Sequence, residues 1–370
     1  MNILYIGPYT QRDGWGNAAK AYVKSLIASG HNLTIRPVFM NNDTKFDKCE
    51  DFERYEKKVF KNYDIIIQNV LPHLFRYYGP NIINVGLSYF ESENIGHTMW
   101  VNNINTLDRM WVTSNWEKQT LVKSGVTIPV DVIPISCDPT IYDKSYEYEK
   151  LSEYEDEFKF YFIGEHISRK NITSLLLAFH REFHPDEKAR VVLKLNRLGM
   201  NDHELFSTVA QQIQNLKIAT ALYSQTKYYK PEIVICSRLS NEELYGLHQM
   251  CQCFVAPSFG EGFCMPAFDA MAFNKTPIVV RDSSLSDFIT EETGYLTDSF
   301  EVPAVAADRP LSFLYNGRDT WRQISIMDLQ IKMREAFNTK ICNSVPSKQM
   351  TNKYSHKNVG MLINQWSQSL

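Results

Sequence analysis

The chain has 370 residues, 44% of them hydrophobic, more than one ordinary core accommodates, so two domains are expected. Its formal net charge of -3 leaves no overall basic field to draw the whole protein to nucleic acid or anionic lipid, although a local patch would not show in that sum. Seven cysteines, at 49, 137, 236, 251, 253, 264 and 342, form no Cys-x-x-Cys pair and read as reduced thiols of a cytoplasmic protein. Residues 1–7 read as a first strand and not as a signal peptide, and no apolar run approaches the roughly 18 residues of a membrane span.

Short apolar runs alternate with amphipathic segments, the pattern of parallel α/β units. In the first half, strands are expected over 3–7, 33–38, 65–68, 83–87, 110–113 and 130–135, and helices over 17–29, 51–61, 99–106 and 116–124. The stretch 138–157, rich in Asp, Glu, Lys, Tyr and Ser, has little periodicity and marks the domain boundary. A first domain over 1–150 and a second over 151–354 follow, with a terminal helix of about 355–370. The second half predicts strands over 158–164, 191–195, 233–236, 253–256 and 277–280. Its helices are expected over 172–183, 203–215, 241–250, 265–273, 324–338 and 357–369, with 306–322 an irregular loop.

Four constellations carry candidate chemistry. Gly7-Pro8-Tyr9-Thr10-Gln11-Arg12-Asp13-Gly14-Trp15-Gly16-Asn17 joins the first strand to the first helix. Its glycines let backbone approach a ligand, but it is not the Gly-x-Gly-x-x-Gly of dinucleotide enzymes. A plain connecting loop is the alternative. Gly164-Glu165-His166-Ile167-Ser168-Arg169-Lys170-Asn171 sets two cations before a helix start, which makes either a phosphate site or a solvated pair.

The third constellation is Pro257-Ser258-Phe259-Gly260-Glu261-Gly262-Phe263-Cys264-Met265-Pro266-Ala267-Phe268-Asp269-Ala270-Met271-Ala272, which follows a strand and opens a helix. Glu261 and Asp269 are open to reading as a hydrolytic pair, as acceptors for sugar hydroxyls, or as a cap and a surface acid. No metal is expected, since the chain holds no Asp-x-Asp and no His/Asp set with ligand spacing. The Gly-x-Ser-x-Gly of a serine nucleophile is also missing. The fourth is Tyr89-Phe90-Glu91-Ser92-Glu93-Asn94-Ile95-Gly96-His97, whose Glu91 and His97 belong on a ligand-facing rim or are structural.

The third segment resembles the Pro-Ser-x-x-Glu-Gly-Phe-Gly-Leu-Pro-x-x-Glu-Ala-Met-Ala of the retaining glycosyltransferases of family 4. Arg169-Lys170-Asn171 with Leu175-Leu176-Leu177-Ala178-Phe179, and Leu239-Ser240-Asn241-Glu242-Glu243-Leu244, are similar to two more of its motifs. So are Trp111-Val112-Thr113-Ser114-Asn115-Trp116, Val132-Ile133-Pro134-Ile135-Ser136-Cys137-Asp138 and Phe90-Glu91-Ser92. The resemblance runs from Met1 to about Leu296. It implies an α/β GT-B fold: two doubly wound Rossmann-like domains facing a central cleft, the first for the acceptor, the second for the nucleotide sugar. It also implies a terminal helix returning to the first domain.

The implied activity is transfer of a sugar, with retention, from a nucleotide-diphosphate sugar to an acceptor hydroxyl, with no cofactor besides that co-substrate. Lys170 would neutralise the diphosphate, with Arg169 beside it. Glu261 would face the sugar, and Asp269 would hold the ribose hydroxyls. Gly262 and the amides of Phe263, Cys264 and Met265 would meet sugar and phosphate. Cys236, Arg238 and Leu239 would cradle the base, and Gly14, Trp15 and Gly16 would close on the diphosphate. Three positions depart from the pattern: Asp269 stands for a Glu, Cys264 for a Gly, and Glu165 for an Arg after Gly164.

A glycan is the expected acceptor, stacking on first-domain aromatics such as Phe52, Tyr55, Phe60, Tyr63, Phe75, Tyr77 and Tyr78. A lipid, protein or modified nucleobase is the alternative, although Lys57, Lys58 and Lys61 make only one short basic helix edge. A donor-binding but inactive module is the other reading, against which both Lys170 and Glu261 are present. Nothing points to an oxidoreductase or to a pyridoxal-phosphate phosphorylase.

Overall fold

The computed structural model describes residues 1–40, 48–306, 314–339 and 344–370. The chain divides into two units, Met1–Pro139 with Gln349–Leu370, and Thr140–Lys348. Each is built on one parallel six-stranded sheet with helices in the connections, the doubly wound α/β arrangement.

The first unit runs β1 (Asn2–Gly7), α1 (Gly14–Ala28), β2 (Asn32–Pro37), α2 (Glu53–Glu56), β3 (Ile65–Asn69) and β4 (Ile83–Leu87). It continues with α3 (Met99–Ile104), β5 (Arg109–Val112), α4 (Asn115–Lys123) and β6 (Val130–Val132). The strand order is β2-β1-β3-β4-β5-β6, so the winding reverses between β1 and β3. Every residue of β3 is buried, which is why Ile65-Ile66-Ile67 reads as a continuous apolar run and not an alternation. Asp13 caps α1 by accepting from the Gly16 amide at 2.8 Å, and Ser114 caps α4.

The terminal helix, His356–Gln368, packs on α1. A Cβ on Gly360 would meet the Ser25 carbonyl oxygen at 2.8 Å, so the glycine sets the approach of the two helices. The Trp366 indole donates to Asp131 at 2.8 Å, and its ring meets Trp111 edge-on at 4.8 Å.

One expected element is much shorter. The helix predicted over 51–61 is a 3₁₀ turn, Glu50–Phe52, followed by the single turn α2. Only Phe52 and Tyr55 find a core, and the Arg36 guanidinium takes the Glu56 carbonyl at 2.6 Å and ends the helix there. Lys58 and Lys61 therefore lie beyond a helix and form no helical edge.

The second unit runs β7 (Phe158–Glu165), α5 (Ile172–Glu182), β8 (Ala189–Asn196), α6 (Asp202–Thr220), β9 (Ile233–Ile235) and α7 (Asn241–Met250). Next come β10 (Cys253–Ala256), α8 (Met265–Ala272), β11 (Ile278–Val280) and β12 (Tyr295–Thr297). The order is β12-β11-β10-β7-β8-β9, which places the reversal between β7 and β10. Capping boxes Asn201/Glu204 and Ser240/Glu243 start α6 and α7.

The stretch expected as a loop over 306–322 holds a strand instead. β13 (Ser299–Val305) and β14 (Asn316–Ile324) form an antiparallel hairpin, followed by α9 (Ile326–Thr339). Residues 307–313 of that stretch lie outside the described residues. Trp321 anchors the hairpin by stacking on Phe259 at 5.4 Å, and the Arg322 amide donates to the Phe259 carbonyl. A helix at Ser344–Lys353 was not legible either.

The division between units falls after Pro139, ahead of the expected boundary at 150. The stretch that follows has no periodicity because side chains hold it to the second unit. The Tyr146 amide donates to Gln249 at 2.7 Å, and Gly246 leaves room for the Glu147 carbonyl, which a Cβ would meet at 2.3 Å. Among the described residues, no helix is long and apolar enough to cross a membrane.

Candidate functional site

The reversal between β7 and β10 brings the loop after β7 against the turn after β10, the place where open α/β sheets bind ligands. In the first loop, a 3₁₀ turn, Ser168–Lys170, leads into Asn171 with φ 49°. Asn tolerates that left-handed conformation, and its amide donates to the Pro257 carbonyl at 3.1 Å, tying the two loops. A second tie runs from the Phe259 amide to the Arg169 carbonyl at 2.9 Å.

Lys170 Nζ lies 2.6 Å from Glu261 Oε1, and Arg169 lies 3.4 Å from Glu261 Oε2. Lys170 keeps 15% of its side-chain surface and Glu261 7%, so water screens the pair little. Burial pushes the Glu261 carboxyl up, but the charges of Lys170 and Arg169 outweigh it and bring it down to about 2. Glu261 is thus ionised at any ordinary pH. Two cations surround one carboxylate, an excess of positive charge suited to an anion.

Arg169 is more enclosed than a loop cation beside a ligand would be. Its guanidinium reaches the Gly260 carbonyl as well as Glu261, and the residue is buried. It braces the Glu261 turn as much as it charges the site.

α8 begins at Met265, with Cys264 before it at φ 58°. That left-handed backbone favours glycine, which explains why a Gly stands there in the pattern the segment resembles. Burial, and then the charge of Glu261, push the Cys264 thiol up to about 12, so it is no thiolate. Asp269, one turn further along α8, accepts from the Tyr142 hydroxyl at 2.7 Å. Burial raises its carboxyl to about 6, and that hydrogen bond opposes the rise.

At the end of β9, a cavity of about 400 Å³ is lined by Tyr148, His203, Phe206, Ile235, Cys236 and Ser237, among others. Cys236 therefore faces a cavity, whereas Arg238 is exposed and neither it nor Leu239 lines it.

In the first unit, the expected residues lie in the connections that follow β1 and β4. Gly14, Trp15 and Gly16 open α1, and Trp15 meets Tyr89 edge-on at 4.5 Å. A Cβ on Gly16 would lie 2.1 Å from the Gln11 carbonyl oxygen, so the turn before α1 requires glycine there. Glu91 and His97 sit in the connection from β4 to α3, and both ring nitrogens of His97 are without a partner. Of the aromatics expected to face an acceptor, Phe52, Tyr55 and Phe75 are buried in the core, while Tyr77 and Tyr78 are about half exposed.

Three features escaped sequence reasoning. Tyr142 lay in the aperiodic stretch after Pro139 and carried no signal of its own. The buried Glu117 accepts from the Phe90 amide at 2.7 Å and from the Thr113 amide and hydroxyl at 2.7 and 2.6 Å, fixing the connection that holds Glu91. Asn69 at the end of β3 and Ser88 just after β4 are buried with a side-chain oxygen that lacks a partner, as does the buried amide of Gln11 in the first constellation. Buried polar residues ending apolar strands were the available signal for Asn69 and Ser88. Among the described residues, no cluster of His, Cys, Asp and Glu is arranged to hold a metal ion.

Residues 143–320 match the family model described as Glycosyl transferases group 1. No curated protein matches the sequence. Among solved structures, sucrose-phosphate synthase from Thermosynechococcus elongatus is similar at 13% identity and a TM-score of 0.65, over 100% of this chain and 98% of that one. Anabaena HepE in complex with UDP and glucose is similar at 12% identity and a TM-score of 0.66, over 100% of both chains. A trehalose-6-phosphate protein from E. coli bound with UDP-2-fluoro glucose is similar at 10% identity and a TM-score of 0.67, over 100% and 99%. The fold is GT-B, and residues 143–320 of the second unit are similar to the group 1 glycosyl transferases.

Proposed function

We propose that this protein is a retaining glycosyltransferase of family 4 that transfers a sugar from a nucleotide-diphosphate sugar to a hydroxyl of a glycan. The observation that carries the reading is the pairing of Lys170 with Glu261 at the β7/β10 reversal. It stands inside the Glu261…Asp269 segment that resembles that family's motif.

The chemical work is leaving-group stabilisation. Lys170, with the field of Arg169 and the amides around Cys264 and Met265 at the α8 N-terminus, spreads the charge that grows on the diphosphate as the glycosidic bond breaks. Glu261 holds Lys170 in place and faces the sugar, Asp269 takes the ribose hydroxyls, and the loop after Cys236 takes the base. Gly14–Gly16, Glu91 and His97 are the first unit's own candidates for ligand contact. In a front-face route the leaving phosphate accepts the acceptor's proton, so no dedicated base is required. UDP-glucose is the first donor to test, because similar structures hold UDP or a UDP-glucose analogue.

Gln11, Asn69 and Ser88 favour a neutral, polyhydroxylated acceptor. The Gln11 amide, Asn69 Oδ1 and Ser88 Oγ are buried, uncharged and without a partner, and sugar hydroxyls would satisfy them. A lipid, protein or modified nucleobase acceptor is the second reading, supported by the exposed Tyr77 and Tyr78. The free cysteines among the described residues fit a cytoplasmic location. Incubation with a panel of nucleotide sugars, followed by nucleotide release and thermal shift, tests the reading. Failure to bind any donor overturns it.

A further inference from the structure

We propose that Tyr142 is a positioning residue of the donor site, whose hydroxyl holds Asp269 where a longer acidic side chain would reach unaided. The proposal rests on reading Asp269 as the carboxylate that takes the ribose hydroxyls.

The geometry is direct. The Tyr142 hydroxyl donates to Asp269 Oδ1 at 2.7 Å, across 127 positions of sequence. The ring is fixed edge-on against Phe273 at 5.0 Å and Phe268 at 6.5 Å, the second of these on α8 beside Asp269 itself. A phenol packed edge-on against two aromatic rings has few places for its hydroxyl, and α8 fixes the Asp269 backbone. The carboxylate between them loses its torsional freedom before any ligand arrives, and Oδ2 makes no hydrogen bond among the described residues. A carboxylate already oriented by one donor binds a diol with less loss of entropy than a freely turning one.

An Asp ends one methylene, about 1.5 Å, short of a Glu on the same helix position. With Tyr142 present, a Glu at 269 would drive its carboxylate into the phenol oxygen. With Phe at 142, that space opens. Tyr142 and Asp269 are thus a matched pair, and the match makes opposite predictions for single and double substitutions.

The experiment measures binding of UDP and of 2′,3′-dideoxy-UDP by calorimetry, together with donor KM, kcat and melting temperature. If UDP does not bind, the nucleoside diphosphate bound most tightly and its dideoxy form take their place. In the unaltered protein UDP binds more tightly than the dideoxy form, and Asp269→Asn removes the difference. Tyr142→Phe weakens UDP about three- to tenfold, the worth of one positioned hydrogen bond, and leaves the dideoxy form unchanged. Asp269→Glu alone weakens UDP, and Tyr142→Phe with Asp269→Glu restores it to within about twofold, a coupling of opposite sign to the single effects.

If Tyr142→Phe lowers UDP and dideoxy-UDP binding equally, or the double variant shows only the sum of the single losses, Tyr142 is packing alone and the proposal is wrong. If the unaltered protein binds both nucleotides alike, or binds no nucleoside diphosphate, the ribose reading of Asp269 fails first and takes the proposal with it.

Discussion

Lys170 and Glu261 are joined by a 2.6 Å ion pair between the two loops that meet at the reversal of the second sheet. Glu261 is buried and Lys170 partly so, and Arg169 shares the carboxylate from its other side. Removal of either partner leaves the remaining charge poorly solvated, which in general costs about 3–5 kcal/mol. Lys170→Ala is expected to lower turnover by about tenfold or more by removing the cation nearest the diphosphate. Glu261→Gln should lower it by a similar factor, because an amide no longer fixes Lys170. Steady-state kinetics with a bound donor check both. A donor-dependent rate equal to that of the parent in both variants removes the site from the second unit.

The two acids of the segment should separate in pH. The Glu261 carboxyl is held at about 2, below its unfolded value, so its contribution to stability is present above about pH 4.5 and is lost only as pH falls toward 2. The Asp269 carboxyl is raised to about 6, so in the folded protein it takes up a proton as pH falls through 6. Its burial disfavours the folded state increasingly as pH rises from 3.8 to 6. Ribose hydroxyls donate to the ionised form. UDP affinity should therefore weaken below about pH 6, by at most about tenfold per pH unit, and Asp269→Asn should flatten the profile. Calorimetric titrations between about pH 5 and about pH 8 measure this.

Cys264 is strained and unreactive. Its φ of 58° costs an L side chain about 1–2 kcal/mol relative to glycine. Cys264→Gly should raise the denaturation midpoint accordingly, and alkylation of the parent at neutral pH should leave this thiol unmodified, since burial pushes it to about 12. Chemical denaturation and mass mapping of alkylated cysteines check the two halves separately.

The two glycines that flank Trp15 are not equivalent. Nothing lies within 4 Å of a Cβ on Gly14, whereas one on Gly16 would lie 2.1 Å from the Gln11 carbonyl oxygen. Gly14→Ala should change stability by less than about 1 kcal/mol. Gly16→Ala should cost about 3 kcal/mol or force the turn to rearrange, with a matching loss of activity. Thermal melts of the two variants decide the contrast.

Glu117 accepts three hydrogen bonds from N–H and O–H donors in a buried place. An amide at that position would turn an N–H toward an N–H. Glu117→Gln should lower stability by about 2 kcal/mol and loosen the connection that carries Glu91. Hydrogen exchange at the Phe90 amide reads the local effect.

The parallel α/β architecture was legible because strands such as Ile65-Ile66-Ile67 are buried on both faces and carry no alternation. The segments 241–250 and 253–256 match α7 and β10 residue for residue, since the capping box at Ser240 and the apolar run at Cys253 are local signals. The candidate donor segment was legible for the same reason: Glu261, Cys264 and Asp269 lie in one short turn-and-helix unit whose spacing is covalent.

What the sequence could not determine depended on partners distant along the chain. The helix expected over 51–61 ends early because Arg36 takes its carbonyls, and β14 forms because β13 pairs with it. Arg169 and Lys170 are adjacent in sequence, yet tertiary packing buries one as a brace and leaves the other at the edge of the site. Tyr142 meets Asp269 only through the fold. Local spacing determined which residues share a turn, and long-range contacts decided which charges are paired, which acid is ionised, and which hydroxyl holds it.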